Sequence, residues 1–222
     1  MRRCIVFDLD GTLTQSEEGI FKSVLYAVDR LGWRRPDEET LRKFVGPPLK
    51  HSFMGLLDMK EDMADRAVEL FRERYVREGL FENRVYPGIR TLVHALKNRG
   101  DWVAVATGKP HDPAARILEH FGLSKWVDRL VGAGEAADES KAELIRAALP
   151  EDGCEAVMVG DRRFDVEGGR SLGIRTIGVG YGYGSEEELR KAGCDTYVPT
   201  VRDLIAVLCG DMTLPRGPFL SM

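Results

Sequence analysis

The stretch Cys4-Ile5-Val6-Phe7-Asp8-Leu9-Asp10-Gly11-Thr12-Leu13-Thr14 limits what this 222-residue chain can fold into more than any other. Four apolar residues run into an acid, a leucine, a second acid and then glycine. Cys4 to Phe7 is short, partly β-branched and closed by a turn signal, the pattern of a buried strand. Side chains two apart on a strand share a face, about 6–7 Å apart when extended. Asp8 and Asp10 are therefore expected to point the same way where the strand ends, with Gly11 allowing a sharp turn after them. Carboxylates at the end of a buried strand are costly to desolvate unless a cation or a reaction is present to use them. The pair is a functional candidate on physical grounds alone.

Beyond Thr14 the apolar period lengthens. Phe21, Val24, Leu25, Val28 and Leu31 recur at helical spacing, with Ser16 as the N-cap and Gly32 as the stop. A second helix starts at Asp37 and runs through Leu41 and Phe44; Val45 to His51 breaks it; Ala64, Ala67, Val68, Phe71 and Tyr75 mark a third. From about residue 15 to residue 85 only helices and connections are predicted. Pro87-Gly88 ends that regime. Strands are then expected at 102–106, near 130–131, and at 155–159, 176–179 and 196–198, each separated from the next by a helical segment. Such alternation argues a parallel sheet covered on both faces. The expected fold class is α/β, a doubly wound, Rossmann-like core of residues 1–14 plus 86–222, with residues 15–85 inserted as an all-helical domain. The tail from Gly210 is expected to be irregular or docked like a strand.

In sheets of this kind ligands bind beyond the carboxyl ends of the strands. Three strands end there in polar clusters: Asp8/Asp10, Thr107/Gly108 and Asp161/Asp165. Asp8, Asp161 and a backbone carbonyl near Asp10 offer hard oxygens suited to Mg²⁺. Asp165, at a helix start, is either a further ligand or the group that orients metal-bound water. The Thr107 hydroxyl, the Gly108 amide and Lys141, preceded by Asp138-Glu139-Ser140, suit a phosphoryl group; Lys109 competes with Lys141 for that role. Asp8 as nucleophile would form an aspartyl-phosphate. Asp10, turned toward an apolar cover, would keep a proton for the leaving alkoxide and later take one from water. Thr12 is counted with the substrate-binding positions, as are Gly46 and Lys50 around the rigid Gly46-Pro47-Pro48 loop, which can also be read as a plain helix break. Tyr181 to Gly184 reads as a loop over the site. His51, His94, His111 and His120 show no spacing that suggests a metal site or a triad.

Charge and composition narrow the partners. A net charge of −4 gives no reason to expect nucleic acid or an anionic membrane. No apolar run approaches the ~18 residues of a membrane span, and Met1-Arg2-Arg3 with its four apolar followers is too short for a signal peptide. Cys4, Cys154, Cys194 and Cys209 are scattered without a C-x-x-C pair, as expected of reduced thiols in a cytoplasmic protein. The expected partner is a small phosphorylated metabolite, met by a monomer or homodimer.

Asp8-Leu9-Asp10-Gly11-Thr12, Thr107-Gly108-Lys109-Pro110, Lys141 and Gly160-Asp161-Arg162-Arg163-Phe164-Asp165 together resemble the motifs of the haloacid dehalogenase-like (HAD) hydrolases. They stand in that family's order along nearly the whole chain, nearest to the phosphoglycolate phosphatases with a helical cap. The resemblance implies Asp8 as nucleophile, Asp10 as acid and base, Thr107 and Lys141 on the phosphate, and Asp8, Asp10 and Asp161 around Mg²⁺. It also implies that the inserted segment is a mobile cap. Dehalogenases lack an acid two positions after the nucleophile and ion-pumping ATPases carry threonine there, so Asp10 favours a phosphatase or phosphomutase. Gly108 stands where relatives often have Ser or Asn, and Gln15 where Asp is frequent. The expected activity is Mg²⁺-dependent hydrolysis of small phosphomonoesters. A 5′-nucleotidase, a pyrophosphatase and a sugar phosphomutase are the alternatives within the family. A phosphoacceptor signalling domain is the alternative outside it, and motif order argues against that reading.

Overall fold

The structure, a computed structural model, describes residues 3–134 and 139–210. It divides into two compact units, Met1–Thr14 with Val85–Met222 and Gln15–Arg84. The chain opens with β1 (Arg3–Phe7) and leaves the larger unit through β2 (Thr14–Gln15), which pairs with the returning β3 (Arg84–Val85). Between these crossings lie α1 (Glu17–Arg30), α2 (Glu38–Arg42), α3 (Leu49–Leu57) and α4 (Glu61–Arg74), the last continued by a π-helical turn, Tyr75–Gly79. After β3 come α5 (Ile89–Asn98), β4 (Trp102–Pro110), α6 (His111–His120), a 3₁₀ turn at Ser124–Trp126, β5 (Arg129–Ala133) and α7 (Lys141–Ala148). Then follow β6 (Glu155–Gly160), α8 (Arg163–Ser171), β7 (Arg175–Val179), α9 (Glu186–Lys191), β8 (Thr196–Val198) and α10 (Val201–Cys209).

The larger unit is built on a six-stranded sheet in the order β5-β4-β1-β6-β7-β8. Each neighbouring pair is parallel, with β1 between β4 (Cys4↔Trp102) and β6 (Cys4↔Ala156). This is the expected doubly wound class. Cys4, Ile5, Val6 and Phe7 are all fully buried, so both faces of β1 are covered and its sequence runs apolar without alternation. On one face Cys4 and Val6 cluster with Ala104, Ala106 and Met158 and with Leu144 and Ile145 of α7. At the opposite end of the sheet from the carboxyl edge, Arg3 donates to both oxygens of the buried Asp101 (3.2 and 2.8 Å) and to the Leu208 carbonyl (3.0 Å), tying β1 to α10.

The smaller unit is helical, as its periodicity implies. Phe44 meets Phe53 edge to face with ring centroids 5.0 Å apart, and Phe71 stacks on Tyr75 at 5.1 Å. Two local expectations need correction. Ser16 precedes α1, but its hydroxyl makes no capping bond and is buried without a hydrogen-bond partner among the described residues. Asp37 does cap α2, accepting from the Thr40 amide at 2.8 Å. The segment expected only to break that helix runs into α3, which carries Lys50 and His51. Its buried residues are Ser52 and Phe53 alone, so no apolar stripe announces it; α2 has already ended at Arg42, and Pro48 stands at the N-cap position of α3. Asp138 and the tail beyond Gly210 lie outside the described residues. None of the four cysteines is in a disulfide. Among the described residues no helix is long and apolar enough to cross a membrane.

Candidate active site

Asp8 is the first residue past β1, and its amide donates to the Val159 carbonyl of β6 at 2.9 Å. The chain then closes a tight loop in which the amides of Thr12, Leu13 and Thr14 all donate to the Leu9 carbonyl (3.3, 2.9 and 3.0 Å). The two acids that flank Leu9 take different partners. Lys141 opens α7, whose first turn is fixed by a capping box between Ser140 and Glu143. Its Nζ lies 2.5 Å from Asp8 Oδ1 and 2.7 Å from Asp165 Oδ1. The other oxygen of Asp165 accepts from the Arg162 amide at 3.0 Å. Asp161, directly after β6, accepts from the Thr12 hydroxyl (Oδ1, 3.3 Å) and from the Tyr183 amide (Oδ2, 2.7 Å). Asp8, Asp161 and Asp165 are buried and bring carboxylate oxygens within 4.8 Å of one another.

Three buried acids gather around one lysine that pairs with only two of them, Asp8 and Asp165, and the proton affinities record the imbalance. Burial pushes the Asp8 carboxyl up to about 7; Asp165 and Asp10 push the same way and Lys141 opposes them. Burial, then Asp165 and Asp8, hold Asp161 well above the usual carboxylate range against the pull of the Tyr183 amide. For Lys141, burial disfavours the charge, but Asp165 and Asp8 outweigh it and raise the ammonium above the ordinary lysine value. An excess of buried negative charge on oxygen donors is the environment that a hard divalent cation relieves. These residues fit Mg²⁺.

The neighbouring strand brings the remaining polar groups. Between the pairs Thr107↔Gly132 and Pro110↔Ala133 the register of β4 and β5 shifts, and Gly108 and Lys109 form a bulge there. The Lys109 amide donates to the Thr107 hydroxyl at 3.2 Å. The Lys109 ammonium lies 3.0 Å from Asp10 Oδ2. Asp10 therefore faces a lysine where the sequence reading placed an apolar cover, and its Oδ1 is buried with no hydrogen-bond partner among the described residues. Its side chain is also outside the Asp8–Asp161–Asp165 cluster. Thr12, expected on the substrate, is fully buried with its hydroxyl on Asp161. Thr107 is buried and Gly108 exposed at the bulge. Gly46 and Lys50 belong to the smaller unit; Gly46 is exposed, and Lys50 Nζ lies 2.9 Å from both the Glu61 and Asp65 carboxylates.

Sequence reasoning missed the work of Gly180 to Gly184. The Tyr181 hydroxyl donates to the Thr12 carbonyl at 3.0 Å, and its ring meets Tyr86 edge to face at 4.7 Å. A Cβ on Gly182 would fall 2.3 Å from Asp161 Cβ and 2.4 Å from the Gly11 carbonyl oxygen. The Gly-Tyr-Gly-Tyr-Gly alternation was the available signal. The glycines admit Asp161 and the post-β1 loop, and the tyrosines fasten them.

Acids at the carboxyl edge of a parallel sheet, a buried lysine shared by two of them and a threonine on the next strand define an α/β enzyme built to handle an anionic group. Residues 5–179 match the family model described as haloacid dehalogenase-like hydrolase. The chain is 45% identical over 190 residues to a 5′-nucleotidase of Pseudomonas aeruginosa, covering 84% of this chain and 86% of that protein. It is 35% identical over 209 residues to the tyrosine-protein kinase PtkA of Mycobacterium tuberculosis, covering 90% and 70%. The crystal structure of a predicted phosphatase from Clostridium acetobutylicum superposes with a TM-score of 0.85 at 41% identity, covering 92% and 97%. The chain belongs to the haloacid dehalogenase-like hydrolase family, and it is an enzyme of the phosphatase kind.

Proposed function

We propose that this protein hydrolyses small phosphomonoesters in two displacements at phosphorus, with Asp8 as the nucleophile. The observation that carries the reading is the convergence on Asp8 of groups far apart in sequence: Lys141 shared with Asp165, and Asp161 alongside. In the first displacement an Asp8 oxygen bonds to phosphorus, the bond to the ester oxygen breaks, and that oxygen takes a proton from Asp10. In the second, Asp10 takes a proton from water, whose oxygen bonds to phosphorus and frees Asp8 and inorganic phosphate. Lys141 and the Thr107 hydroxyl stabilise charge on the non-bridging oxygens. Asp8, Asp161 and the Asp10 carbonyl would hold Mg²⁺, and Asp165, already engaged by Lys141 and the Arg162 amide, orients the lysine from behind. When bound, the ion supplies the positive charge that the three acids lack and that a phosphoryl dianion requires.

The smaller unit serves as the cap that selects the leaving group and shields the acyl-phosphate from stray water, a role resting on its insertion directly after the first motif. The name of the 45% identical relative puts nucleoside 5′-monophosphates first among substrates, ahead of phosphoglycolate. Four cysteines outside any disulfide support a cytoplasmic setting. The test is steady-state kinetics with Mg²⁺ on nucleoside monophosphates, phosphoglycolate, sugar phosphates, pyrophosphate and a tyrosine-containing peptide with ATP. It is paired with acid-quench trapping of labelled protein in wild type and Asp8→Asn. Phosphate release with label lost in the variant is expected. Turnover surviving in Asp8→Asn, or phosphoryl transfer to the peptide without phosphate release, overturns the reading.

A further inference from the structure

Each acid of the first motif has a lysine of its own. Asp8 is served by Lys141 from the start of α7, and Asp10 by Lys109 from the bulged end of β4. We propose that Lys109 is a positioning residue that carries Asp10, gripping Oδ2 so that Oδ1 is the oxygen presented to the ester oxygen of the substrate. The inference rests on the reading of Asp10 as the acid and base of the reaction.

Three observations support it. Lys109 is no surface lysine: its side chain is only 7% exposed and that of Asp10 13%. Its place is also built. Gly108 and Lys109 are the two residues that the register shift pushes out of the sheet, and the Lys109 amide is held by the Thr107 hydroxyl at 3.2 Å. The bulge leans over Gly132, where a Cβ would lie 2.6 Å from His111 Cα and 2.8 Å from the Lys109 carbonyl oxygen. Bulges of this kind re-aim a side chain next to an active site. Finally, the two oxygens of Asp10 are unequal. Oδ2 has the lysine, while Oδ1 is buried with no hydrogen-bond partner among the described residues. A buried carboxyl oxygen left bare is costly, and with the acid's proton on Oδ1 an ester oxygen arriving there accepts the hydrogen bond that Oδ1 lacks.

A lysine that instead bound the phosphate directly would raise KM and weaken phosphate inhibition alike for every ester. A lysine that positions the acid leaves phosphate affinity in place and matters in proportion to how badly the leaving group needs a proton. The experiment compares wild type, Lys109→Met, Lys109→Arg and Asp10→Asn on p-nitrophenyl phosphate, whose leaving group departs without a proton, and on an alkyl phosphate. It reads kcat/KM and the inhibition constant of inorganic phosphate. Asp10→Asn should lose about 10²–10⁴-fold on the alkyl ester, the span of general acid catalysis, and far less on the aryl ester. Lys109→Met should lose about 10–100-fold on the alkyl ester with near-normal aryl hydrolysis and phosphate inhibition, and Lys109→Arg should recover part of the loss. Intact phosphate inhibition also shows that the variants are folded. Equal losses on both esters in Lys109→Met, or weakened phosphate inhibition with the leaving-group pattern unchanged, overturn the proposal while Asp10→Asn still shows its selective defect. If Asp10→Asn shows no leaving-group dependence, the acid–base reading itself fails and this inference falls with it.

Discussion

Replacing Lys141 with methionine tests the site most directly, because among the described residues the ammonium is the only cation that Asp8 and Asp165 share in an otherwise acidic cluster. The three side chains are nearly closed off from solvent, at 12% for Lys141, 11% for Asp8 and 4% for Asp165. Removing one member of a buried ion group costs about 3–5 kcal/mol, because the charges left behind stay desolvated. Methionine keeps most of the stem volume, so packing adds little. For a domain of this size each kcal/mol is worth about 2–4 °C, which puts the fall in Tm of the metal-free protein at about 6–20 °C. Asp8 can shed its stranded charge by taking up a proton, so the loss should be smaller at pH 6 than at pH 8. Activity should fall about 10²–10³-fold, the scale for deleting one preorganised group that stabilises transition-state charge. Calorimetry in chelator at the two pH values, together with kcat/KM on p-nitrophenyl phosphate, reads both effects. A Tm within about 2 °C of wild type at pH 8, or a larger loss at pH 6 than at pH 8, would refute the electrostatic account of the cluster.

The wild-type protein without metal should itself lose stability as pH rises. Native Asp8 holds a proton up to about 7 whereas the unfolded carboxyl releases it near 3.8, so the folded state binds more protons across that window; urea unfolding at pH 5 and pH 8 measures the slope, and added Mg²⁺ should flatten it. Gly182→Ala forces a methyl group against Asp161 Cβ and the Gly11 carbonyl. It should destabilise by about 1–3 kcal/mol and weaken Mg²⁺ binding followed by calorimetric titration; unchanged affinity would show that the loop does not set Asp161. Asp37→Ala removes the capping bond to the Thr40 amide and should cost about 0.5–2 kcal/mol, seen as faster amide exchange in α2 with hydrolysis of p-nitrophenyl phosphate unchanged.

How far the sequence could be read depended on whether a residue's partner was fixed by pattern or by geometry. β1, the parallel sheet and the meeting of Asp8, Lys141, Asp161 and Asp165 were legible, because an apolar run ending in acids implies a strand edge and a buried acid implies a cation. The partner of Asp10 was not. Lys109 reaches it only because β4 slips against β5 after Thr107, and a slip of register leaves no mark in hydrophobic period. Thr12, counted among the substrate-binding positions, has a partner set by geometry in the same way: the loop closed on the Leu9 carbonyl carries it inward to Asp161. α3 escaped notice because Pro47-Pro48 suggests an ending, and its one deeply buried large side chain, Phe53, makes no stripe.

The position of β1 in the sheet has a consequence for biosynthesis. It is made before both of its neighbours, strands beginning at Trp102 and Glu155. At about 5–20 residues per second on the ribosome, the segment Cys4 to Phe7 waits on the order of 8–30 s before both edges can be covered. Pairings between such distant residues are entropically slow to form. Until then β1 is an uncovered apolar strand, and the Gln15–Arg84 helices, whose contacts are local, can condense beforehand. Depleting chaperones that hold extended apolar segments should therefore lower the yield of this protein well before it affects a helical bundle of equal length.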